Sequence, residues 1–258
     1  MKPPVRLTAL YHRHLALKAT MVESEGWLLP ESYVGPEKEI EAALKSVGLS
    51  DSCADLKIDV RGGSDEIDGF LGEILLGGAV SGRPGEVVAY PITGKGDDSM
   101  RYACRLASDH ALLVLRPKRA SSRSSPLEPE TDTPKNHDVY LTNATSVLAG
   151  ITVFGPQAPR LLSRLSSVDL SLKVLPNPSC TEGGVAGIQC AIIRSDITVG
   201  GKRVDMFDCY FGRGYAEFLW DAMNEAGHEF NIAPVGTTAR DRLLARAQRT
   251  DVGVRLER

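Results

Sequence analysis

Hydrophobic periodicity switches between two and 3.6 along this chain without settling into a strand–helix–strand rhythm. That irregularity argues for an α+β fold rather than a doubly wound parallel sheet. Gly35-Pro36 opens a helix in which Ile40, Ala43, Leu44 and Val47 recur at helical spacing, and Gly48 closes it. Proline just inside the start and glycine just past the end is the asymmetry a helix imposes. Leu56-Lys57-Ile58-Asp59-Val60 then alternates as a half-buried strand should. A short helix follows Ser64 and buries Ile67, Phe70 and Leu71. Segments 86–92, 100–106 and 110–115 are β-rich runs parted by turn residues, the pattern of an antiparallel meander.

The run from Arg119 to His137 breaks this order. Ala120-Ser121-Ser122-Arg123-Ser124-Ser125-Pro126 and the Pro/Glu/Thr-rich residues after it lack apolar periodicity, so 119–137 reads as a long flexible loop. A structured chain resumes at Val139. Residues 147–154 form a strand, and Gly155-Pro156 starts a helix that turns Leu161, Leu162 and Leu165 inward. Residues 185–199 read as a strand or hairpin and 204–209 as a further strand. Residues 215–226 form an amphipathic helix with Tyr215, Phe218, Leu219, Ala222 and Met223 on its apolar side, capped by Gly227. A last helix begins at Thr237 and carries Leu243 and Leu244.

Composition bounds the function. With 258 residues, 42% of them hydrophobic and 24% charged, the chain is large enough for a full core. A net charge of -3 gives no reason to expect nucleic-acid or membrane binding, which need concentrated positive charge. The N-terminus lacks the apolar core of a signal peptide and no stretch reaches the length of a membrane span, so a cytoplasmic location is expected. The five cysteines are scattered with no CxxC pair, as reduced core thiols would be. The histidines do not cluster at metal-ligand spacing, and no metal site is expected.

Specific motifs go further than periodicity. Leu10-Tyr11-His12-Arg13-His14 runs into Gly26-Trp27-Leu28-Leu29-Pro30-Glu31-Ser32-Tyr33. Val47-Gly48-Leu49-Ser50-Asp51, Leu106 to Val114, and Gly155-Pro156-Gln157-Ala158 follow in turn. Phe218-Leu219-Trp220-Asp221-Ala222-Met223 and Ala233-Pro234-Val235-Gly236-Thr237-Thr238-Ala239-Arg240-Asp241 complete the series. In that order these motifs resemble the folate-binding aminomethyltransferase family, typified by the glycine-cleavage T-protein. The resemblance implies two mixed antiparallel-sheet and helix domains around a pore that holds tetrahydrofolate. Residues 1–50 with 138–258 would form the first domain and 51–118 an inserted second one. Full-length T-proteins carry a further C-terminal barrel, and this chain stops at Arg258 where that barrel would begin. Self-association or a partner subunit is therefore expected.

The resemblance also assigns candidate site residues, and here the chain departs from the family. The family's arginine, YTGE run and second glutamate are matched by Arg194 and Asp205, but the first glutamate falls on glycine. That carboxylate holds the pterin's guanidine-like edge, and losing it weakens binding by ~1.5–3 kcal/mol, roughly ten- to a hundred-fold. The catalytic aspartate's place falls on Ser99 and Met100, with Asp97 and Asp98 just upstream as candidate acids or as a solvated turn. Arg116 replaces a folate-contacting asparagine and could bind an anionic tail or simply end a strand. Arg240 keeps its place in the ARDxLRLE segment, whereas Leu244 and Arg246 stand where arginine and glutamate belong. Tyr33 could face the ligand or pack the domain junction, and His14 could be structural or chemical.

Two main functions follow, with a stand-alone folate binder or regulator as a third. One is a tetrahydrofolate-dependent aminomethyl- or methyltransferase acting on a small one-carbon donor, its pore holding the reactants in place and Asp98 stabilising developing charge. The other is a non-catalytic subunit of a larger oxidase or demethylase, similar to the small subunit of sarcosine oxidase. The iron–sulfur maturation branch of the family is disfavoured because no KGCxxGQE-like motif occurs.

Overall fold

The computed structural model describes residues 5–74, 83–91, 100–116 and 137–255. The expected loop at 119–137 lies almost wholly outside them, as do Asp97 and Asp98. The architecture is α+β, with sixteen strands in four sheets and six α-helices among the described residues.

The chain enters through a small sheet. Strand β1 (Arg6–Leu7) runs into helix α1 (Tyr11–Ala16), and then β2 (Thr20–Ser24) and β3 (Trp27–Ser32) form a hairpin. Glu25 and Gly26 both have positive φ, 50° and 73°, the backbone a two-residue hairpin turn requires. Helix α2 (Pro36–Lys45) starts on its proline as expected, but ends before Gly48. Gly48 instead opens strand β4 (Gly48–Asp51), where an added Cβ would lie 2.7 Å from that of Ala43. Close packing of helix on strand, rather than capping, is what requires glycine there.

A five-stranded antiparallel sheet takes in β5 (Leu56–Gly62), β6 (Val87–Pro91), β7 (Met100–Ala107), β8 (His110–Arg116) and β9 (Val139–Asn143), in the order β6-β7-β8-β5-β9. The expected meander is its first half. Helix α3 (Ser64–Ile74) covers one face with Ile67, Phe70 and Leu71, the three residues that its spacing marks as inward.

The larger sheet has the order β11-β12-β15-β10-β4-β16. It is built from β10 (Leu148–Phe154), β11 (Ser179–Val185), β12 (Ile188–Arg194), β15 (Met206–Gly212) and β16 (Ala233–Val235), together with β4. The hairpin expected within 185–199 is real but begins earlier, because β11 is too rich in glycine and polar residues to show alternation. Between β12 and β15 a small hairpin, β13 (Ile197–Val199) and β14 (Lys202–Val204), projects from the sheet.

Helices α4 (Ala158–Leu165) and α5 (Ala216–Gly227) pack on one face of this sheet. Ala149, Ile151 and Val153 of β10 and Phe207, Cys209 and Phe211 of β15 meet Leu161, Leu162, Leu219 and Met223 there. On the opposite face Cys180, Ile193 and Tyr210 meet Tyr102, Cys104, Leu112 and Val114 of the five-stranded sheet. Helix α6 (Thr237–Arg255) closes a further core with α2 through Ile40, Ala43, Ala239 and Leu243.

Helix α5 corrects one expectation. Its buried stripe is Ala216, Leu219, Trp220 and Met223, while Tyr215 and Phe218 are each 54% exposed. Trp220 wins the inward position because it stacks edge-on against the buried His14 ring at 5.4 Å.

Gly155 shows how tightly the α2–β4 and β10–α4 connections interlock. Its φ is +116°, and a Cβ would lie 2.4 Å from the Ala43 carbonyl oxygen. We expect Gly155→Ala to cost about 2–4 kcal/mol in urea denaturation, since strain and collision add. Gly187→Ala, with φ +81° and nothing within 4 Å, isolates the strain alone and should cost about 1 kcal/mol.

Candidate functional site

Polar groups with no access to water gather where the N-terminal segment, β4 and α6 meet. Asp51 ends β4 and is fully buried. Its carboxylate accepts hydrogen bonds from the Thr8 hydroxyl at 2.5 Å, His14 Nε2 at 2.8 Å and the Cys53 amide at 2.7 Å. Burial pushes this carboxyl's pKa up, but the bonds from His14, Thr8 and Cys53 outweigh it and hold the group down at about 2. The other ring nitrogen of His14, Nδ1, meets the Tyr33 hydroxyl at 2.8 Å. Burial, with Asp51 and Glu39 nearby, raises the Tyr33 pKa far above its ordinary value.

Tyr33 is held from the other side by Glu39 of α2. That carboxylate accepts from the Ser32 hydroxyl and from the amides of Tyr33, Val34, Gly35 and Gly236. Burial alone would raise its pKa, but these donors bring it below normal.

Arg240 approaches Asp51 from α6. Its Nη1 donates to the Asp51 carbonyl at 3.0 Å and to Ser52 Oγ at 3.2 Å, and its Nη2 lies 3.6 Å from Asp55. Burial opposes the charge, yet Asp55, Asp241 and Asp51 keep its pKa above the ordinary value. Asp55 also accepts from the Tyr210 hydroxyl at 2.9 Å. Below that ring sits Lys57, fully buried, its Nζ donating to the Cys53 carbonyl at 2.8 Å. Burial pulls the Lys57 pKa down, against the pull of Cys53, Asp55 and Asp51.

From Ser52 a row of hydroxyls crosses the large sheet on the face turned from α4 and α5. Ser52 Oγ meets Thr152 Oγ1, which donates to Asp208 Oδ1 at 2.7 Å, and Ser195 Oγ donates to Asp208 Oδ2 at 3.2 Å. The row ends beside Arg194 on β12. Arg194 is buried, and all three of its guanidinium nitrogens have internal acceptors. Nε reaches Asp196 at 3.0 Å, Nη1 the Leu170 carbonyl at 3.0 Å, and Nη2 the Asp205 carboxylate at 2.5 Å. Its plane lies over Phe207 with 4.9 Å to the ring centre. Gly200 and Gly201 form the two-residue turn between β13 and β14, with φ of 57° and 76°.

A family described as the GCVT N-terminal domain matches residues 10–253. This chain belongs to that family. Among its curated relatives are the aminomethyltransferases of Desulforamulus reducens, 30% identical, and Moorella thermoacetica, 29% identical. The matches cover 93% and 94% of this chain but 63% and 64% of those proteins, so the chain spans under two thirds of their length. The glycine cleavage aminomethyltransferase T of Bartonella henselae shares the fold with a TM-score of 0.67 at 22% identity, covering 93% of this chain and 62% of its own. A chain of heterotetrameric sarcosine oxidase from Corynebacterium sp. U-96 shares it at 0.58 and 15%, covering 88% of this chain and 97% of its own.

Among the family-assigned residues, the fold links Tyr33 to Asp51 through His14, brings Arg240 to the Asp51 carbonyl, and pairs Arg194 with Asp205. Arg116 lies at the end of β8, paired in register with Met100. His14 stood in the opening motif and Asp51 in the Val47–Asp51 motif, but neither motif announces that they bond each other. Lys57 and Asp208 gave no signal at all, since an isolated lysine or aspartate in an alternating strand reads as its solvent side. Among the described residues no group of three His, Cys, Asp or Glu is placed to hold a metal ion, and no helix is long and apolar enough to cross a membrane.

The depressed Asp51 pKa has a measurable consequence. Stability it contributes is complete above the ordinary value of 3.8 and is lost as pH falls toward about 2. That acid limb should be worth on the order of 2 kcal/mol and should flatten in Asp51→Asn, read from urea midpoints between those pH values.

Proposed function

We propose that this chain is a scaffold subunit of the folate-linked one-carbon transfer family, keeping the family fold without transferring a one-carbon unit itself. The observation that carries this reading is the closure of Arg194 on Asp196, Asp205 and the Leu170 carbonyl. The arginine and carboxylate that would orient a pterin spend their hydrogen bonds on each other. The missing glutamate supports the same reading: its place falls on Gly200 or Gly201, both at positive φ, where a side chain is strained. Arg246, standing where the family carries a glutamate, is bonded to Glu37 at 2.8 Å. The residues present thus do not fit the guanidine-like edge of tetrahydrofolate.

In this reading chemistry on a small one-carbon donor belongs to a partner subunit, in a cytoplasmic complex. The fold shared over nearly the whole of one sarcosine oxidase chain favours such an arrangement. The domain division read from the sequence, with 51–118 inserted between 1–50 and 138–258, is retained as part of the proposal, with Val139–Asn143 pairing onto β5 of the inserted part.

Calorimetric titration with tetrahydrofolate tests it. We expect no saturable heat below about 1 mM ligand, a binding free energy weaker than about 4 kcal/mol. A dissociation constant in the micromolar range would overturn the reading. Turnover lost in Asp97→Ala or Asp98→Ala would then assign catalysis to this chain.

A further inference from the structure

We propose that the surface where α5 begins beside β1 is a twofold interface between two copies of this chain. The starting point is the pair Tyr215 and Phe218, one helical turn apart and each 54% exposed. Helix α5 already seats itself through Ala216, Leu219, Trp220 and Met223, so the fold does not need these two rings. Large aromatics left on a surface are the commonest anchors of protein interfaces, because one rigid ring removes much apolar area from water.

They do not stand alone. Arg213, two residues before Tyr215, ties the neighbouring segments together. Its amide donates to the Val147 carbonyl at 2.9 Å and its Nη2 to the Leu7 carbonyl at 2.7 Å. Val147 is 63% exposed and Leu7 is 47% exposed, so the two rings continue into an apolar patch across three chain segments.

The charges around this patch identify the occupant. On the β1 side, the guanidinium groups of Arg6 and Arg213 both lie over the Trp27 ring, at 4.9 and 5.8 Å from its centre. On the α5 side stand Glu217 and Asp221, two partly exposed carboxylates against the single guanidinium of Arg13 at 3.6 and 2.6 Å, so this flank keeps an excess of acid. A patch with base on one flank, acid on the other and aromatics between is complementary to itself under a twofold rotation. Apolar centre then meets apolar centre, and each copy's arginines face the other's carboxylates. An acidic or a basic partner would match only half of the rim. The inference does not depend on the folate reading.

Light scattering and native mass spectrometry of the purified full chain decide it. At micromolar concentration we expect a species of twice 27.8 kDa. Phe218→Asp should raise its dissociation constant at least tenfold at unchanged melting temperature, because the side chain is surplus to the fold. Arg6→Glu should weaken the dimer too, whereas Tyr140→Asp, exposed on β9, should leave it intact. If Phe218→Asp lowers the melting temperature, Tyr215→Ser and Arg6→Glu still carry the test. A monomeric wild-type chain, a dimer indifferent to these changes, or a different chain seated on this surface would overturn the proposal.

Discussion

The carboxylate of Asp51 is the contact on which the rest of the structure depends. Its three donors come from the N-terminal segment, from α1 and from the turn after β4, and the carbonyl of the same residue receives Arg240 from α6. A carboxylate taken out of water costs several kcal/mol unless its acceptors are filled, so these segments must arrive together or not at all. Glu39 repeats the device one layer away, gathering the amides of residues 33–35 and that of Gly236. The N- and C-terminal segments are therefore joined through buried acids as well as through the parallel pairing of β16 with β4. That explains how β16 and α6, nearly two hundred residues downstream, are locked onto β4 and β3.

The fold was legible where burial follows periodicity. Ile67, Phe70 and Leu71 of α3 obey the spacing rules because a single face of that helix is covered, and the meander of the five-stranded sheet shows as β-rich runs parted by turn residues. The rules failed where two neighbours compete. Gly48 looks like a helix stop but belongs to a strand pressed against Ala43. Tyr215 and Phe218 look inward on a helical wheel, yet Trp220 takes that side because His14 is there to meet it. No sequence window contains both His14 and Trp220, so the local pattern could not reveal the choice.

The site was legible as a family resemblance and much less so as a geometry. Of the buried charged residues Asp51, Asp55, Lys57 and Asp208, Asp55 sits in the turn before β5 and Lys57 and Asp208 sit in strands whose alternation places them with the solvent-facing set. They are buried because the second sheet, α6 and the N-terminal segment cover that face. A polar interior between two sheets needs long-range partners for every group, and those partners lie 100 or more residues away in several cases, as Thr152 does from Ser52 and Tyr210 from Asp55. Arg194 and Asp205 were identified through the family, but only the structure gives them to each other.

That pairing is what the proposed reading sets against a working pterin site. For a ligand to recruit Asp205, it must displace Arg194 at 2.5 Å and Arg203 at 3.4 Å from that carboxylate. One hydrogen bond to a charged group returns only about 1.5–3 kcal/mol. The glutamate that would supply a second charged contact is replaced by a glycine turn, so the balance stays unfavourable. Arg194 nevertheless has a reason to persist: it joins β12 to Asp205 at the foot of the β13–β14 hairpin and, through the Leu170 carbonyl, to the connection after α4. The side chain thus has a structural role of its own, because removing it would leave Asp196 and Asp205 with only the more distant Arg203, at 3.8 and 3.4 Å. A family motif retained at such a position is evidence of architecture first, and of chemistry only when its hydrogen bonds remain available to a ligand.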